Sequence, residues 1–196
     1  MPDDSSKIFD RRPIVIALAG PNGAGKSTFY ETQLADMNLS FVNADVLALT
    51  GGIDPYEAAA MADRLRRQLV EHKESFVFET VFSDPVGDKL DFLKLAEKSG
   101  YTVLLVFIGL EGPSLSDSRV AIRVSQGGHD VPTDKLMERF PRILHNLKRA
   151  LVELPNVHVY DNSNLDAKYR RVAWKEDNGM IRLFGDPPEW LRPLPP

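Results

Sequence analysis

The sequence predicts an α/β fold with a doubly wound, mostly parallel five-stranded sheet, helices on both faces and a C-terminal β-hairpin. Two observations predict it. Short runs rich in Val, Ile and Phe alternate along the chain with segments whose apolar residues recur at helical spacing. The first run, Pro13 to Ala19, is apolar throughout, which is typical of a strand buried on both faces of a parallel sheet.

Each predicted element follows from a local pattern. The predicted strands are 13–19, 39–43, 76–80, 101–109 and 156–160. The predicted helices are 26–37, 55–74, 86–99 and 113–125, and a last one that begins near Thr133 and is kinked or restarted at Pro141. Two short runs within 169–184 flank Glu-Asp-Asn-Gly, which predicts the hairpin because Asn-Gly tolerates positive φ.

Composition limits the classes of function. The chain has 196 residues, which suits one domain, and a formal net charge of −4, whereas nucleic-acid-binding proteins usually carry a basic excess. It has no cysteine, which excludes disulfides, thiolate metal sites and a cysteine nucleophile. No apolar run is long enough to span a membrane, and the N-terminus has no apolar signal core. We therefore expect a cytoplasmic protein that does not bind membranes and for which a nucleic-acid partner is not favoured.

The same reasoning gives a domain organisation. We expect a flexible N-terminal segment over 1–12, a single domain over 13–185 and a proline-rich tail over 186–196 that lies as an extended strap on the surface.

A glycine-rich loop follows the first predicted strand and leads into a helix. It matches G-x-x-x-x-G-K-[ST], in which glycines let backbone N–H groups surround phosphates. Lys26 supplies a positive charge for the β and γ phosphates, and the Ser27 hydroxyl is a ligand for Mg²⁺. The predicted nucleotide-binding residues are Gly20, Pro21, Asn22, Gly23, Ala24, Gly25, Lys26, Ser27 and Thr28. The motif predicts a P-loop NTPase fold that binds ATP or GTP with Mg²⁺.

Three polar residues lie at the carboxyl ends of predicted strands, where ligands bind in an open α/β sheet. Asp45 ends the second strand segment and could accept a proton from an acceptor hydroxyl, hold Mg²⁺ through water, or simply cap the next helix. Glu79 and Thr80 end the third strand. Glu79 could bind a substrate hydroxyl or serve as the acidic residue of a Walker-B-like strand.

Basic residues cluster in the segment 113–142, which we interpret as a lid. Arg119 and Arg123 share one helix face, and Arg139 lies in the following helix. Guanidinium groups there would neutralise the transferring phosphoryl oxygens. His129 lies in the glycine-rich loop between these helices, where it could contact phosphate or substrate, or only organise the loop.

Several segments together resemble the zeta-toxin-like P-loop kinases. They are GPNGAGKST, FVNAD, SFVFET, RVAIRV followed two residues later by GGHDVP, and VYDNS, and the similarity covers roughly Pro13 to Ser163. The resemblance implies a kinase that uses ATP or GTP with Mg²⁺ to phosphorylate a sugar hydroxyl of UDP-N-acetylglucosamine.

The resemblance also implies roles for individual residues. Lys26 would be the P-loop lysine, Asp45 the base that activates the acceptor hydroxyl, and Glu79 and Thr80 part of the sugar-nucleotide pocket. Arg119 and Arg123 would clamp phosphate, but their spacing differs from that of the toxins, so Arg139 is a rival.

The chain departs from plasmid toxins in having only a short segment before the first strand, where those toxins dock an antitoxin. An antitoxin partner is therefore an open alternative, and a housekeeping kinase with another hydroxyl substrate also fits. Two other functions remain: a polynucleotide 5′-hydroxyl kinase, and a non-catalytic nucleotide-binding switch.

Overall fold

The computed structural model describes residues 4–127 and 130–192. Its strands are β1 (Ile14–Ala19), β2 (Ser40–Val42), β3 (Phe76–Thr80), β4 (Thr102–Gly109), β5 (Val157–Asp161), β6 (Arg170–Lys175) and β7 (Arg182–Leu183). Its α-helices are α1 (Lys26–Phe29), α2 (Ala44–Gly51), α3 (Pro55–Glu71), α4 (Asp88–Lys98), α5 (Pro113–Ser125) and α6 (Thr133–Glu153). None of the helices in these described ranges is both long and apolar enough to cross a membrane.

The strands form one mixed sheet in the order β2-β3-β1-β4-β5-β6-β7. The first five are parallel, as predicted, and the hairpin adds β6 and β7 antiparallel to the same sheet. β1 lies between β3 and β4: the chain runs from β1 to β2 on one side of it and crosses from β3 to β4 on the other side. A ligand crevice forms at such a point in a doubly wound sheet, at the carboxyl ends of the strands.

Helices cover both faces of the sheet, so β1 is buried on both sides. All six of its residues are inaccessible to solvent. Alternate side chains enter two separate cores: Ile14, Ile16 and Leu18 in one, and Val15, Ala17 and Ala19 in the other. This burial confirms the interpretation of the continuous apolar run as a central strand.

The region after β2 differs from the prediction. Asp45 does not end a strand, because α2 begins at Ala44 and is capped by Asn43, whose Oδ1 accepts hydrogen bonds from the N–H groups of Asp45 and Val46. Asp45 therefore lies in the first turn of α2 and is not its N-cap. The alternative that Asp45 caps the helix is therefore wrong, because Asn43, two residues earlier, takes that position.

Two predicted helices differ from the prediction in opposite ways: the first changes helix type along its length, and the last is continuous. The segment after the P-loop is α-helical only over α1, and then continues as a π-helix over Tyr30–Leu34 and a 3-10 helix over Ala35–Met37. In contrast, α6 continues through Pro141 as one helix of 21 residues, without a restart.

The two terminal segments pack against the domain. Asp4–Asp10 forms a 3-10 helix, and Ile8 is only 1% exposed within the core that contains Ile14. The apolar Ile8 side chain thus packs in the core, whereas the flexibility expected over 1–12 stays a prediction. In the tail, Trp190 and Leu191 are also buried.

We expect Trp190→Ala to lower the free energy of unfolding by about 3–5 kcal/mol, the usual cost of deleting a buried aromatic side chain. The Trp190 ring packs against Gly109 so closely that a Cβ there would lie 2.2 Å from it, and its Nε1 donates to Asp161 Oδ1 at 3.1 Å. Urea unfolding measures the change, with exposed Glu189→Ala as the control. Equal unfolding midpoints for the two variants would contradict a packed tail.

Candidate active site

Two glycines of the loop between β1 and α1 have positions that no other residue could occupy without strain. Gly20 has a φ of 141°, and a Cβ on it would lie 2.1 Å from the carbonyl oxygen of Ile108 in β4. Gly25 has a φ of 87°, and its Cβ would lie 2.9 Å from Asn162 Nδ2 and from Tyr169 Oη. Positive φ and close backbone approach explain why both fixed glycines of the motif are required.

The loop is held from outside through its carbonyl oxygens. Its carbonyls at Asn22, Ala24 and Gly25 accept hydrogen bonds from Ser116 Oγ (2.6 Å), Asn162 Nδ2 (2.8 Å) and Tyr169 Oη (2.9 Å), respectively. In a trans peptide the N–H points opposite to the C=O, so the next N–H in each case points away from these partners. This fixes the loop with N–H groups available for an anion.

Sequence reasoning missed these three supporting side chains. Asn162 had a signal, because it directly follows the last parallel strand within the segment VYDNS. Ser116 and Tyr169 had none, since their hydroxyls reach the loop only through the packing of α5 and of the segment before β6.

The Lys26 side chain is 5% exposed and lies folded back on the loop. Its Nζ donates to the carbonyl oxygens of Gly20 and Pro21, both at 3.0 Å, and lies 3.6 Å from Glu79 Oε1. Burial lowers the pKa of Lys26, and the nearby carboxylates of Glu79 and Asp45 partly oppose this shift. A phosphate held by the loop would thus add negative charge beside Lys26, which already pairs with Glu79.

Glu79 connects the P-loop with the start of α2. Its Oε2 accepts hydrogen bonds from Ser27 Oγ and from Asn43 Nδ2, each at 3.0 Å. The neighbouring strands bring it there, since Glu79 of β3 is in register with Leu18 of β1. A carboxylate beside the P-loop hydroxyl is the arrangement expected of a Walker-B-like acid.

The oxygens of Ser27 and Glu79 fit Mg²⁺, which prefers hard oxygen ligands and takes several of them from substrate phosphates and water. Among the described residues, no group of three or more His, Cys, Asp or Glu side chains could hold a metal by itself. A magnesium ion at this site would therefore be shared with the nucleotide.

Three cavities meet at Asp45 and Glu79, which line all of them. The phosphate cavity, about 240 Å³, lies along the P-loop. The acceptor groove, about 460 Å³, lies between the P-loop and the apolar side chains of α2 and the α2–α3 turn. The side cavity, about 170 Å³, extends toward α3 and α4. Asp45 is exposed in the first turn of α2.

Thr80 lines only the side cavity among these three. Its Oγ1 accepts a hydrogen bond from the N–H of Phe82 at 3.1 Å and so holds the start of the β3–α4 loop. Thr80 thus shares the side cavity with Glu79 but, unlike Glu79, does not line the phosphate cavity or the acceptor groove.

The predicted basic residues separate into two groups. Arg119 and Arg123 line the phosphate cavity, and Arg123 also lines the acceptor groove. Arg119 Nη2 donates to the carbonyl oxygen of Ser163 at 3.1 Å, and burial lowers its pKa. Arg139 lines none of the three cavities, and His129 lies outside the described residues. Helix α5 also contacts the P-loop, since a Cβ on Gly23 would lie 3.0 Å from Arg119 Cβ.

We expect Arg119→Ala and Arg123→Ala each to lower kcat about 10- to 100-fold, the loss of one charge-assisted hydrogen bond to phosphate. Arg139→Ala is the control and is expected to leave kcat within about twofold, since surface substitutions are usually near neutral. Steady-state kinetics with each variant provides the measurement. A larger loss for Arg139→Ala than for the other two would reverse the assignment.

Comparison with known proteins gives a family and a fold. The zeta toxin family matches residues 55–172, which is more than half of the chain. The comparison with curated protein sequences gave no match.

Solved structures are similar over most of the chain. The AvrRxo1-ORF1:AvrRxo1-ORF2 complex with sulphate ions is 17% identical, with a TM-score of 0.70 over 90% of this chain and 63% of that chain. The PezAT toxin–antitoxin system of Streptococcus pneumoniae is 21% identical, with a TM-score of 0.62 over 83% of this chain and 72% of that chain. A protein of Chloroflexus aurantiacus described as a kinase is 15% identical, with a TM-score of 0.56 over 80% and 88%.

These identities are low, so the neighbours show the fold, and the chain spans 63% of the AvrRxo1-ORF1:AvrRxo1-ORF2 chain that it matches. The family match covers the segment that carries Glu79, Arg119, Arg123 and the residues after β5, which the structure brings to the P-loop. The chain belongs to the zeta toxin family and has the fold of the P-loop kinases.

Proposed function

We propose that the protein transfers the γ-phosphoryl group of ATP or GTP to a hydroxyl of a small molecule. The observation that carries the proposal is the position of Asp45 and Glu79, which line the phosphate cavity and the acceptor groove alike. A hydroxyl in the groove beside Asp45 would face the end of the nucleotide held by the P-loop.

The residues at the site suit each part of such a transfer. The P-loop N–H groups and Lys26 hold the β and γ phosphates, while Arg119 and Arg123 spread positive charge over the transferring oxygens. Ser27 and Glu79 would hold Mg²⁺, which would supply positive charge to neutralise the phosphate oxygens.

Asp45 has the role of general base in this proposal. The acceptor oxygen forms a bond to the γ phosphorus, the bond from that phosphorus to the bridging oxygen breaks, and the hydroxyl proton passes to the Asp45 carboxylate. The products are the phosphorylated acceptor and ADP or GDP. Because Asn43 caps α2, the Asp45 carboxylate is not needed as the helix cap and can accept the proton.

The acceptor we propose is a UDP-sugar such as UDP-N-acetylglucosamine. The acceptor groove is large enough for a compound of that kind, since small-molecule sites typically measure about 300–1,000 Å³. It combines polar groups at Asp45, Glu79 and Arg123 with an apolar wall at Val46 and Leu49, of which Leu49 is 85% exposed. Such a wall suits the faces of a sugar ring or a base.

Incubation with labelled ATP or GTP, Mg²⁺ and a panel of UDP-sugars, NAD and nucleosides tests the proposal, with mass spectrometry to identify the product. A phosphorylated UDP-sugar is the expected result. If only another acceptor gives a phosphorylated product, the proposed substrate is wrong and the proposed kinase activity is supported. Bound nucleotide without product from any acceptor would favour a non-catalytic switch.

We also propose that an antitoxin-like protein is the partner to test first, because PezAT is described as a toxin–antitoxin system. Co-expression with a neighbouring reading frame, followed by size-exclusion chromatography, is the measurement. Elution as an isolated chain together with unimpaired growth of the host would favour a housekeeping kinase.

A further inference from the structure

The turn that follows β3 contains a residue in a strained backbone conformation. Phe82 has a φ of 63°, in the left-handed region that bulky side chains rarely adopt. Such a conformation is costly, persists only where the surrounding structure holds it, and is found most often at functional sites. The strain at Phe82 lies directly after residues 79–81, which line the cavities of the candidate active site.

Three contacts hold Phe82 in this conformation. Its side chain is 1% exposed and packs in the core. Its N–H donates to Thr80 Oγ1 at 3.1 Å, which closes a local turn. Its carbonyl oxygen accepts a hydrogen bond at 3.0 Å from Asn146 Nδ2, which lies 64 residues away in α6. Asn146 thus joins the strained turn to a distant element of the fold.

The Asn146 amide is 2% exposed, and its Nδ2 donates a second hydrogen bond to the carbonyl oxygen of Asp84 at 2.9 Å. An asparagine has two amide hydrogens, so both of them are used on the β3–α4 loop. An apolar side chain of similar size would leave both carbonyl oxygens without this donor. The polar group is therefore required for the position of the loop, and not only to fill space in the core.

The end of β3 needs such support because neighbouring strands hold it on one side only. The pairing of β3 with β2 ends at Phe78, whereas its pairing with β1 continues to Thr80. Glu79 lies in this one-sided part, and its Oε2 must stay in place to accept the 3.0 Å hydrogen bond from Ser27 Oγ. Val81, which follows, lines the phosphate cavity. Movement of the turn would therefore move the wall of that cavity.

We propose that Asn146 is a positioning residue for the phosphate cavity. It holds Phe82 in the left-handed conformation and so fixes the one-sided end of β3. As a result, Glu79 faces Ser27 beside the P-loop. Asn146 lines none of the three cavities, so it acts through the backbone of the turn. This inference rests on the proposed function, because Glu79 would hold Mg²⁺ only as part of that proposal.

The test compares Asn146→Leu with Asn156→Leu, which is a closely matched control. Asn156 is 3% exposed and also makes two hydrogen bonds: its Nδ2 donates to the carbonyl oxygen of Val103 at 2.7 Å, and its Oδ1 accepts from the N–H of Asp177 at 2.8 Å. It lies just before β5, at the amino end of the parallel strands and so away from the site. Because each variant removes two buried hydrogen bonds, urea unfolding should show a similar loss of stability.

Calorimetry of a non-hydrolysable ATP analogue over a range of Mg²⁺ concentrations gives the decisive readout. Asn146→Leu is expected to raise the Mg²⁺ concentration for half-maximal binding about tenfold or more, as happens when partners of metal ligands are changed. Asn156→Leu should leave it within about twofold, since distant sites act independently. No shift in Asn146→Leu, or an equal shift in both variants, would reduce Asn146 to a stability role and overturn the inference.

Thr80→Val keeps the inference testable if Asn146→Leu does not fold. It removes the partner of the Phe82 N–H at a half-buried position and nearly keeps the side-chain size. The calorimetric assay contains no acceptor, so a role of Thr80 in acceptor binding does not affect the result. Thr80→Val should raise the Mg²⁺ requirement in the same direction, and an unchanged requirement would overturn the inference.

A double variant tests whether Asn146 acts through Glu79. Addition of Asn146→Leu to Glu79→Gln should change the Mg²⁺ requirement by less than about twofold, because residues that act as one unit are not additive. A full additive effect would overturn the inference.

Because binding is measured without transfer, the outcomes also separate this inference from the kinase proposal. A shift specific to Asn146→Leu, without transfer to any acceptor by the wild type, would support the positioning role and reject the kinase. Transfer by the wild type without such a shift would do the reverse.

Discussion

Asp45→Asn is expected to lower kcat about 100- to 10,000-fold, because general base catalysis typically contributes that much and an amide cannot take up the acceptor proton. Nucleotide binding should change little, since the P-loop supplies most of the contacts to the phosphates. The structure also predicts that the variant folds normally. Asn43, and not Asp45, caps α2, so the substitution removes no capping hydrogen bond.

The measurement is kcat against pH for wild type and Asp45→Asn, together with ATP affinity by calorimetry. Asp54→Asn is the control, because Asp54 caps α3 through the N–H groups of Tyr56 and Glu57 and asparagine caps equally well. We expect this control to retain wild-type kcat. An Asp45→Asn enzyme with more than about a tenth of wild-type kcat would show that Asp45 is not the base.

Glu79→Gln is expected to lower both kcat and the apparent affinity for Mg²⁺, each by up to about 100-fold, the range seen when partners of metal ligands are changed. The glutamate accepts hydrogen bonds from Ser27 and Asn43 and lies 3.6 Å from Lys26 Nζ. The variant keeps the side-chain shape and removes the charge that attracts the metal ion.

Titration of Mg²⁺ and of the acceptor separates the two interpretations of Glu79. A higher Mg²⁺ requirement with an unchanged acceptor KM supports a metal-site acid, and Ser27→Ala should then behave similarly. The opposite pattern, a raised acceptor KM at an unchanged Mg²⁺ requirement, would assign Glu79 to the acceptor hydroxyl.

The same variant has an expected pH dependence. Lys26 must be protonated to attract phosphate, and burial already lowers its pKa below the ordinary value of 10.5, with Glu79 acting to raise it. ATP affinity should therefore fall as the pH rises through the lowered pKa of Lys26. Removal of the Glu79 charge lowers that pKa further, so the fall should begin at a lower pH in Glu79→Gln.

The site was predictable where its chemistry depends on neighbours in the chain. The P-loop from Gly20 to Ser27 could be found because glycine conformations and the adjacent Lys and Ser are local requirements. The central strand β1 could be found because burial on both faces requires a run of apolar residues. The hairpin was predicted from its turn, where Asp177 and Asn178 adopt positive φ.

The succession of strands and long helices along the chain, the phosphate loop and the polar residues at the ends of β2 and β3 therefore follow from local sequence patterns. Which side chains meet at the site depends on the tertiary fold. The hydrogen bonds that hold the P-loop join residues 94, 138 and 144 positions apart, and Asp45 of α2 and Glu79 of β3 line the same cavities because β2 and β3 are neighbours in the sheet. Such contacts form only when the helices and loops pack on the sheet. The sequence around each residue is that of an ordinary helix or loop position, so it carries no signal for the contact.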